Sequence, residues 1–133
     1  MRIAVDGMGG DRAPAEIVQG AAAAASELGV QVTIVGQPAR VQSLLDLHPQ
    51  LTFHPATQVV EMDEHPARAV RSKPDSSMSV CARLCRDGEA DAWVSAGNSG
   101  AIMAAALLIQ GRLKGVERPA LGTIVPGREA PSY

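Results

Sequence analysis

The sequence predicts an α/β fold built on a mostly parallel sheet. Three observations carry that expectation. Short apolar runs alternate with longer segments of helical periodicity. Two of the apolar runs break abruptly into small-residue loops that lead into helices, Asp6-Gly7-Met8-Gly9-Gly10-Asp11 and Ser95-Ala96-Gly97-Asn98-Ser99-Gly100. The chain has 133 residues, 46% of them hydrophobic, which suits one domain with a sizeable core.

Taken in order, "RIAVD" (Arg2–Asp6) reads as a buried strand. Its loop turns, and Pro14 fits the first turn of a helix that runs to about Leu28. Ile17, Val18, Ala21, Ala25 and Leu28 share one face of that helix, and Gly29 stops it. "VQVTIVG" is a second strand, and Pro38 opens a short helix through "ARVQSLLDL". "LTFHPA" is a third strand; "QVVEM" is a fourth, or an extended approach to the next segment. "HPARAVRSKPDSS" reads as helical up to Ser72, with Pro74 cutting it. Ser76 or Ser77 then caps a helix that runs to Asp87, and Gly88 ends it. "DAWVSA" is a strand. Residues 99–110 are apolar almost all round, which predicts a buried helix. "RPALGTIVP" is a last strand candidate. The sequence stops soon after it, although a parallel sheet needs cover on both faces, so a fragment of a longer protein is expected, one that self-associates through uncovered apolar surface.

Composition narrows the function classes. No run is long and apolar enough to span a membrane, the N-terminus does not have the pattern of a signal peptide, and a cytoplasmic location is expected. Aromatics make up 2% of the chain, too few to stack bases, which argues against nucleic-acid binding. The net charge of −2 is unevenly spread: residues 1–67 hold three bases and eight acids, residues 68–133 nine bases and six acids. The second half is therefore where an acidic ligand or partner is expected. Cys81 and Cys85 share a helical face with Met78 and Leu84 and read as small core hydrophobes. The three histidines each precede a proline and lack metal-ligand spacing, so no metal site is expected.

Both loops follow strands and precede helices, which places them outside the carboxyl ends of the sheet, where α/β proteins bind ligands. Helix N-termini there favour anions, and Ser95, Asn98 and Ser99 add donors. The competing reading is plain turn chemistry, since neither loop carries a phosphate-binding GK[ST] or a GxGxxG pattern. The segment from Met62 to Met78 holds Arg68, Arg71 and Lys73; by charge alone it reads as a solvated helix with local ion pairs to Asp63 and Glu64.

Three long stretches, "RIAVDGMGGDRAPAEIVQGA", "EMDEHPARAVRSKPDSSMSV" and "ADAWVSAGNSGAIMAAALLIQGRLKGVERPAL", resemble the N-terminal part of the bacterial phosphate acyltransferases of phospholipid synthesis, the PlsX family. The resemblance covers essentially the whole chain. It implies a Rossmann-like, three-layer α-β-α fold similar to that of the isocitrate and isopropylmalate dehydrogenases. It also implies transfer of a fatty acyl group from acyl-acyl carrier protein to inorganic phosphate, giving acyl phosphate. Family members are longer and continue into further sheet and a helical region used for dimer and membrane contact, so a homodimer and peripheral membrane contact are implied for a full-length member. This chain departs from the pattern at Gly7, where alanine is usual and glycine is expected to loosen the turn; at Ser99, which keeps the hydroxyl of the usual threonine; and at Pro74, often a basic residue.

Phosphate is already an anionic nucleophile and a pantetheine thiolate is a good leaving group. The implied reaction therefore calls for no cofactor, metal or nucleophilic cysteine, only proximity and donors for the tetrahedral oxyanion. The resemblance assigns phosphate or the oxyanion to Ser95, Gly97, Asn98, Ser99 and Gly100, and the facing wall to Gly9, Gly10 and Asp11. It gives Arg71 and Lys73 the task of offsetting phosphate charge or steering an acidic carrier, and adds Ser76 and Ser77. The alternatives are a phosphate acetyltransferase-like enzyme using an acyl-coenzyme A, and a non-catalytic phosphate- or nucleotide-binding module.

Overall fold

A computed structural model describes residues 1–122. Four strands form one parallel sheet: β1 (Arg2–Asp6), β2 (Gln31–Gly36), β3 (Thr52–Pro55) and β4 (Ala92–Val94), in the order β3-β2-β1-β4. The helices are α1 (Ala15–Leu28), α2 (Pro38–Leu45), α3 (Pro66–Ser72), α4 (Ser77–Arg86) and α5 (Ser99–Ala105), the last continuing as a π-helical turn through Ala106–Gln110.

Strand alternation sets the layers. Val32 and Ile34 of β2 face α1 and α2, packing on Val18, Ala21, Ala22, Val41 and Leu45. Ala4 and Val35 face the opposite way, against Val80, Cys81 and Leu84 of α4. A third cluster joins α3, α4 and α5 through Val70, Met78, Ala82, Ala101 and Ala105. The result is the three-layer α-β-α arrangement with an all-parallel sheet. Ser76 caps α4 by accepting from the Ser79 N–H, and Gly29 (φ 64°) and Gly88 (φ 75°) take the left-handed conformation just past α1 and α4.

Two expectations change, one open alternative is decided, and one lies mostly outside the described residues. Leu28 is 72% exposed, because the stretch of α1 facing β1 and β4 meets no covering element among the described residues. An apolar groove of ≈ 450 Å³ lies open there, with Ile3, Val5, Ile17, Ala24, Leu28 and Val94 in its walls. Residues 99–110 are not fully buried: only Ala101 and Ala105 are, while Leu107 and Leu108 are exposed, since one side of the helix has no neighbour among the described residues. "QVVEM" is an extended approach with a single bridge, Gln58 to Ser76. Of "RPALGTIVP", residues 118–122 form no strand and the remainder lies outside the described residues. The open groove predicts that the 133-residue chain self-associates at micromolar concentration, and that Leu28→Glu with Val94→Lys returns it toward monomer. A wild-type chain that stays monomeric by light scattering contradicts this.

Asp75 ties the segment after β3 to the entry of α4. Its carboxylate accepts from the Thr57 hydroxyl (2.5 Å) and backbone N–H (2.9 Å). These bonds, the hydroxyl's first, hold its pKa below the usual carboxylate range. A depressed carboxyl contributes stability above its unfolded pKa, and that contribution is lost as pH falls through the folded value. Wild type is therefore expected to exceed Thr57→Val in urea stability at neutral pH, with the gap narrowing in acid. A gap independent of pH assigns the effect of Thr57 to something other than Asp75.

Candidate functional site

The strand order reverses direction at β1: β2 and β3 lie on one side of it, β4 on the other. The crevice at such a switch point is where ligands bind in open α/β sheets. The two glycine-rich loops leave β1 and β4 side by side at this point. Pairing of Val5 with Val94 places Asp6 opposite Ser95.

A buried polar knot joins them. Asp6 is 2% exposed. Its Oδ2 accepts from Ser95 Oγ at 2.7 Å, and its Oδ1 from the Met8 N–H at 3.1 Å. Ser95 Oγ in turn accepts from the Gly97 N–H at 3.1 Å. Gly9 fits between them with no room for a side chain: a Cβ would lie 2.6 Å from Asp6 Oδ2, 2.7 Å from Ser95 Oγ and 2.9 Å from the Gly97 nitrogen. Gly10, at φ 104°, abuts the Ala96 carbonyl. Gly7 does more than loosen its turn, since a Cβ there would come 2.8 Å from Ile34 Cγ2 and 3.1 Å from the Val35 oxygen. An alanine at Gly7 requires β2 to give way.

The second loop is also fixed to the segment before α3. Asn98 Oδ1 accepts from the Ala101 N–H at 3.0 Å and caps α5. Its Nδ2 donates to the carbonyls of Met62 (3.1 Å) and Glu64 (3.0 Å), with Glu61 at 3.5 Å. Gly100 meets the ring of Pro66, whose Cγ would be 2.6 Å from any Cβ. The side chains of Ser95 and Asn98 are thus occupied in holding the loop, whereas Ser99 is exposed.

The remaining sequence-derived candidates sit at varied distances from this knot. Ser76 and Ser77 are buried at the entry of α4; Ser76 Oγ donates to Ser79 Oγ and its role is capping. Met78 comes close to Gly97, which joins α4 to the loop. Lys73 is folded inward, its ammonium on the Val59 carbonyl and the Glu64 carboxylate. That ion pair, chiefly through its hydrogen bond, holds the Glu64 pKa below the ordinary range. Arg71 lies on the exposed side of α3. Asp11 borders, with Met8 and Gly10 of the same loop, a groove that also holds Arg40, Glu61 and Asp63; its three carboxylates against one guanidinium disfavour an anion there. The structure therefore brings Gly9, Gly10, Ser95 and Gly97 into contact, ties Asn98 and Gly100 to the start of α3, and leaves Arg71 outside.

Sequence reasoning misses Asp6 as the centre of the knot. An acid ending a buried apolar strand is the signal that could have found it. Cys81 is fully buried, and burial, with the Asp6 charge adding to it, pushes its thiol well above the ordinary range. It is a core residue, not a nucleophile.

With this geometry in view, the comparisons are specific. The switch-point loops and the three-layer sheet belong to a class defined by a family model for fatty acid synthesis proteins, which matches residues 1–132. The chain belongs to that family. It is 54% identical over 132 residues to the phosphate acyltransferase of Desulfitobacterium hafniense (strain DSM 10664 / DCB-2), covering 97% of this chain and 40% of that protein. To the phosphate acyltransferase of Heliobacterium modesticaldum it is 49% identical over 134 residues, covering 97% and 40%. To that of Picosynechococcus it is 52% identical over 130 residues, covering 94% and 36%. The chain thus spans about two fifths or less of the length of these relatives.

Proposed function

We propose that this chain supplies the phosphate-handling loops of an acyl-acyl carrier protein:phosphate acyltransferase that makes acyl phosphate for phospholipid synthesis. The observation that supports this most strongly is the match of the whole segment to relatives named phosphate acyltransferase, in a chain whose two glycine-rich loops meet at the switch point. A phosphate oxygen attacks the thioester carbonyl, a C–O bond forms, the tetrahedral intermediate collapses, and the C–S bond breaks to release the carrier's thiolate. Nothing in that sequence needs a strong base or a protein nucleophile.

The residues divide into two tasks. Asp6, Ser95 and Asn98 preorganise the loops, with Gly9, Gly10, Gly97 and Gly100 permitting the close approach. The exposed Ser99 hydroxyl donates to phosphate or to the developing oxyanion. Ser76 and Ser77 position α4 beneath the loop; Lys73 holds the segment before α3, and Arg71 faces the partner. A homodimer and peripheral membrane contact of the full-length protein belong to the same reading; no helix among the described residues is long and apolar enough to cross a membrane.

The test is incubation of the full-length protein with acyl-acyl carrier protein, with and without inorganic phosphate, trapping acyl phosphate as the hydroxamate. Phosphate-dependent hydroxamate is expected. Thiol release independent of phosphate, or a preference for acetyl-coenzyme A, would replace this reading.

A further inference from the structure

We infer that Glu64 is a positioning residue for the phosphate-handling loop, acting through the segment before α3, and that Lys73 is its fixed partner, not a ligand of phosphate. The inference rests on the acyltransferase reading above. Residues 59–64 form no helix or strand, so side chains must hold them. The Lys73 ammonium holds both ends: it donates to the Val59 carbonyl at 2.7 Å and to Glu64 Oε2 at 2.5 Å. The same Glu64 oxygen accepts from the Glu61 N–H at 2.8 Å, and the Glu64 N–H turns back to the Glu61 carbonyl. The Lys73 backbone is anchored in turn. Its carbonyl accepts from the Ser76 N–H and from Ser79 Oγ, and both serines are fully buried at the start of α4.

The turn so held presents the Met62 and Glu64 carbonyls to Asn98, whose amide donates to both. Asn98 caps α5, and Ser99 is the next residue. An unbroken chain of directional bonds therefore runs from the buried start of α4, through Lys73 and Glu64, to the loop after β4. Along that chain Glu64 sets where the Ser99 hydroxyl stands. The Lys73 ammonium has three protons, and two are committed to Val59 and Glu64. Release toward an external anion would forfeit both bonds and leave the Glu64 carboxylate without its counter-charge.

The experiment uses the full-length protein with Glu64→Gln, Lys73→Met and the double variant. Binding of inorganic phosphate is measured by calorimetry, acyl phosphate formation by hydroxamate trapping, and folding by the urea midpoint. Glutamine keeps an oxygen for the Glu61 N–H but loses the charge that holds the ammonium. Each single variant is expected to lower kcat/KM for phosphate about tenfold, with KM for the acyl donor changed less than about twofold. The double variant should fall no further than the worse single one, because both changes break the same link. A phosphate ligand behaves in the opposite way: Glu64→Gln would free the ammonium and tighten phosphate binding, and Lys73→Met would cost as much beside Glu64→Gln as in wild type. Either result overturns the inference, and Glu64→Gln alone decides it if Lys73→Met does not fold. Unchanged phosphate kinetics in Glu64→Gln, whatever its urea midpoint, also overturn it and leave the acyltransferase reading intact. If phosphate binding depends on Glu64 yet no acyl phosphate forms, the positioning role stands and the acyltransferase reading fails.

Discussion

Gly9→Ala is expected to destabilise the protein by about 2–3 kcal/mol and, on the proposed reading, to abolish phosphate-dependent acyl transfer by the full-length protein, because a side chain there must force the two loops apart. Its backbone φ is not in the left-handed region, so the effect is steric. The added methyl would meet Asp6 Oδ2, Ser95 Oγ and the Gly97 nitrogen together, all nearer than 3.0 Å. None is the tip of a flexible side chain free to swing away: Asp6 is buried and hydrogen-bonded, Ser95 bridges both loops, and Gly97 is backbone. Relief of the clash breaks the Ser95–Asp6 bond and leaves a buried carboxylate short of a donor. Urea unfolding checks the first effect and hydroxamate trapping the second. By contrast, Gly20→Ala on α1 meets nothing within 4 Å and should be stabilising or neutral. Equal stability of Gly9→Ala and wild type would refute the knot.

Asn98→Asp is the second large effect. The substitution is almost isosteric and keeps an oxygen to cap Ala101. It removes the amide that donates to the Met62 and Glu64 carbonyls, and sets a carboxylate oxygen about 3 Å from them. Asn98 is 9% exposed, so water screens little of that repulsion. A cost of about 3 kcal/mol or more is expected from the lost bonds and the poorly compensated charge. Asn98→Ala, which loses the cap and the clamp but introduces no charge, should fall between Asn98→Asp and wild type. Urea denaturation of the three proteins gives the order; Asn98→Asp as stable as wild type would mean that the amide does not hold the segment before α3.

The sheet and the placing of both glycine-rich loops at its carboxyl edge are legible in the sequence for local reasons. Apolar runs such as "RIAVD" end where glycine and polar residues begin, and Ser76 and Gly88 punctuate α4 as capping chemistry requires. What the glycines are for is not legible. Turn chemistry and anion cradling are both open readings of Ser95–Gly100, and the structure shows a third use: Gly9 and Gly97 let two loops touch, and Gly100 lets α5 approach Pro66. Contacts between residues 89 apart in the chain, as for Ser95 and Asp6, leave no periodic trace. The exposure of Leu28 and of residues 107–108 escapes the sequence for a related reason: periodicity says which side chains are apolar, not which neighbours cover them. Charge alone reads the Met62–Met78 segment as a solvated helix with local ion pairs to Asp63 and Glu64; the Lys73–Glu64 pair forms, but charge does not say which cation makes it, Lys73 turning inward while Arg71 faces outward.

The central claim is that the loop after β4 handles phosphate, with Ser95 and Asn98 building it and Ser99 contacting the ligand. The direct measurement is kcat/KM for phosphate in Ser99→Ala of the full-length protein, alongside its urea midpoint. The account predicts a fall of about tenfold or more, the scale of a lost oxyanion or phosphate donor, with the midpoint unchanged because Ser99 is exposed. Wild-type kcat/KM for phosphate in a folded Ser99→Ala protein would contradict it.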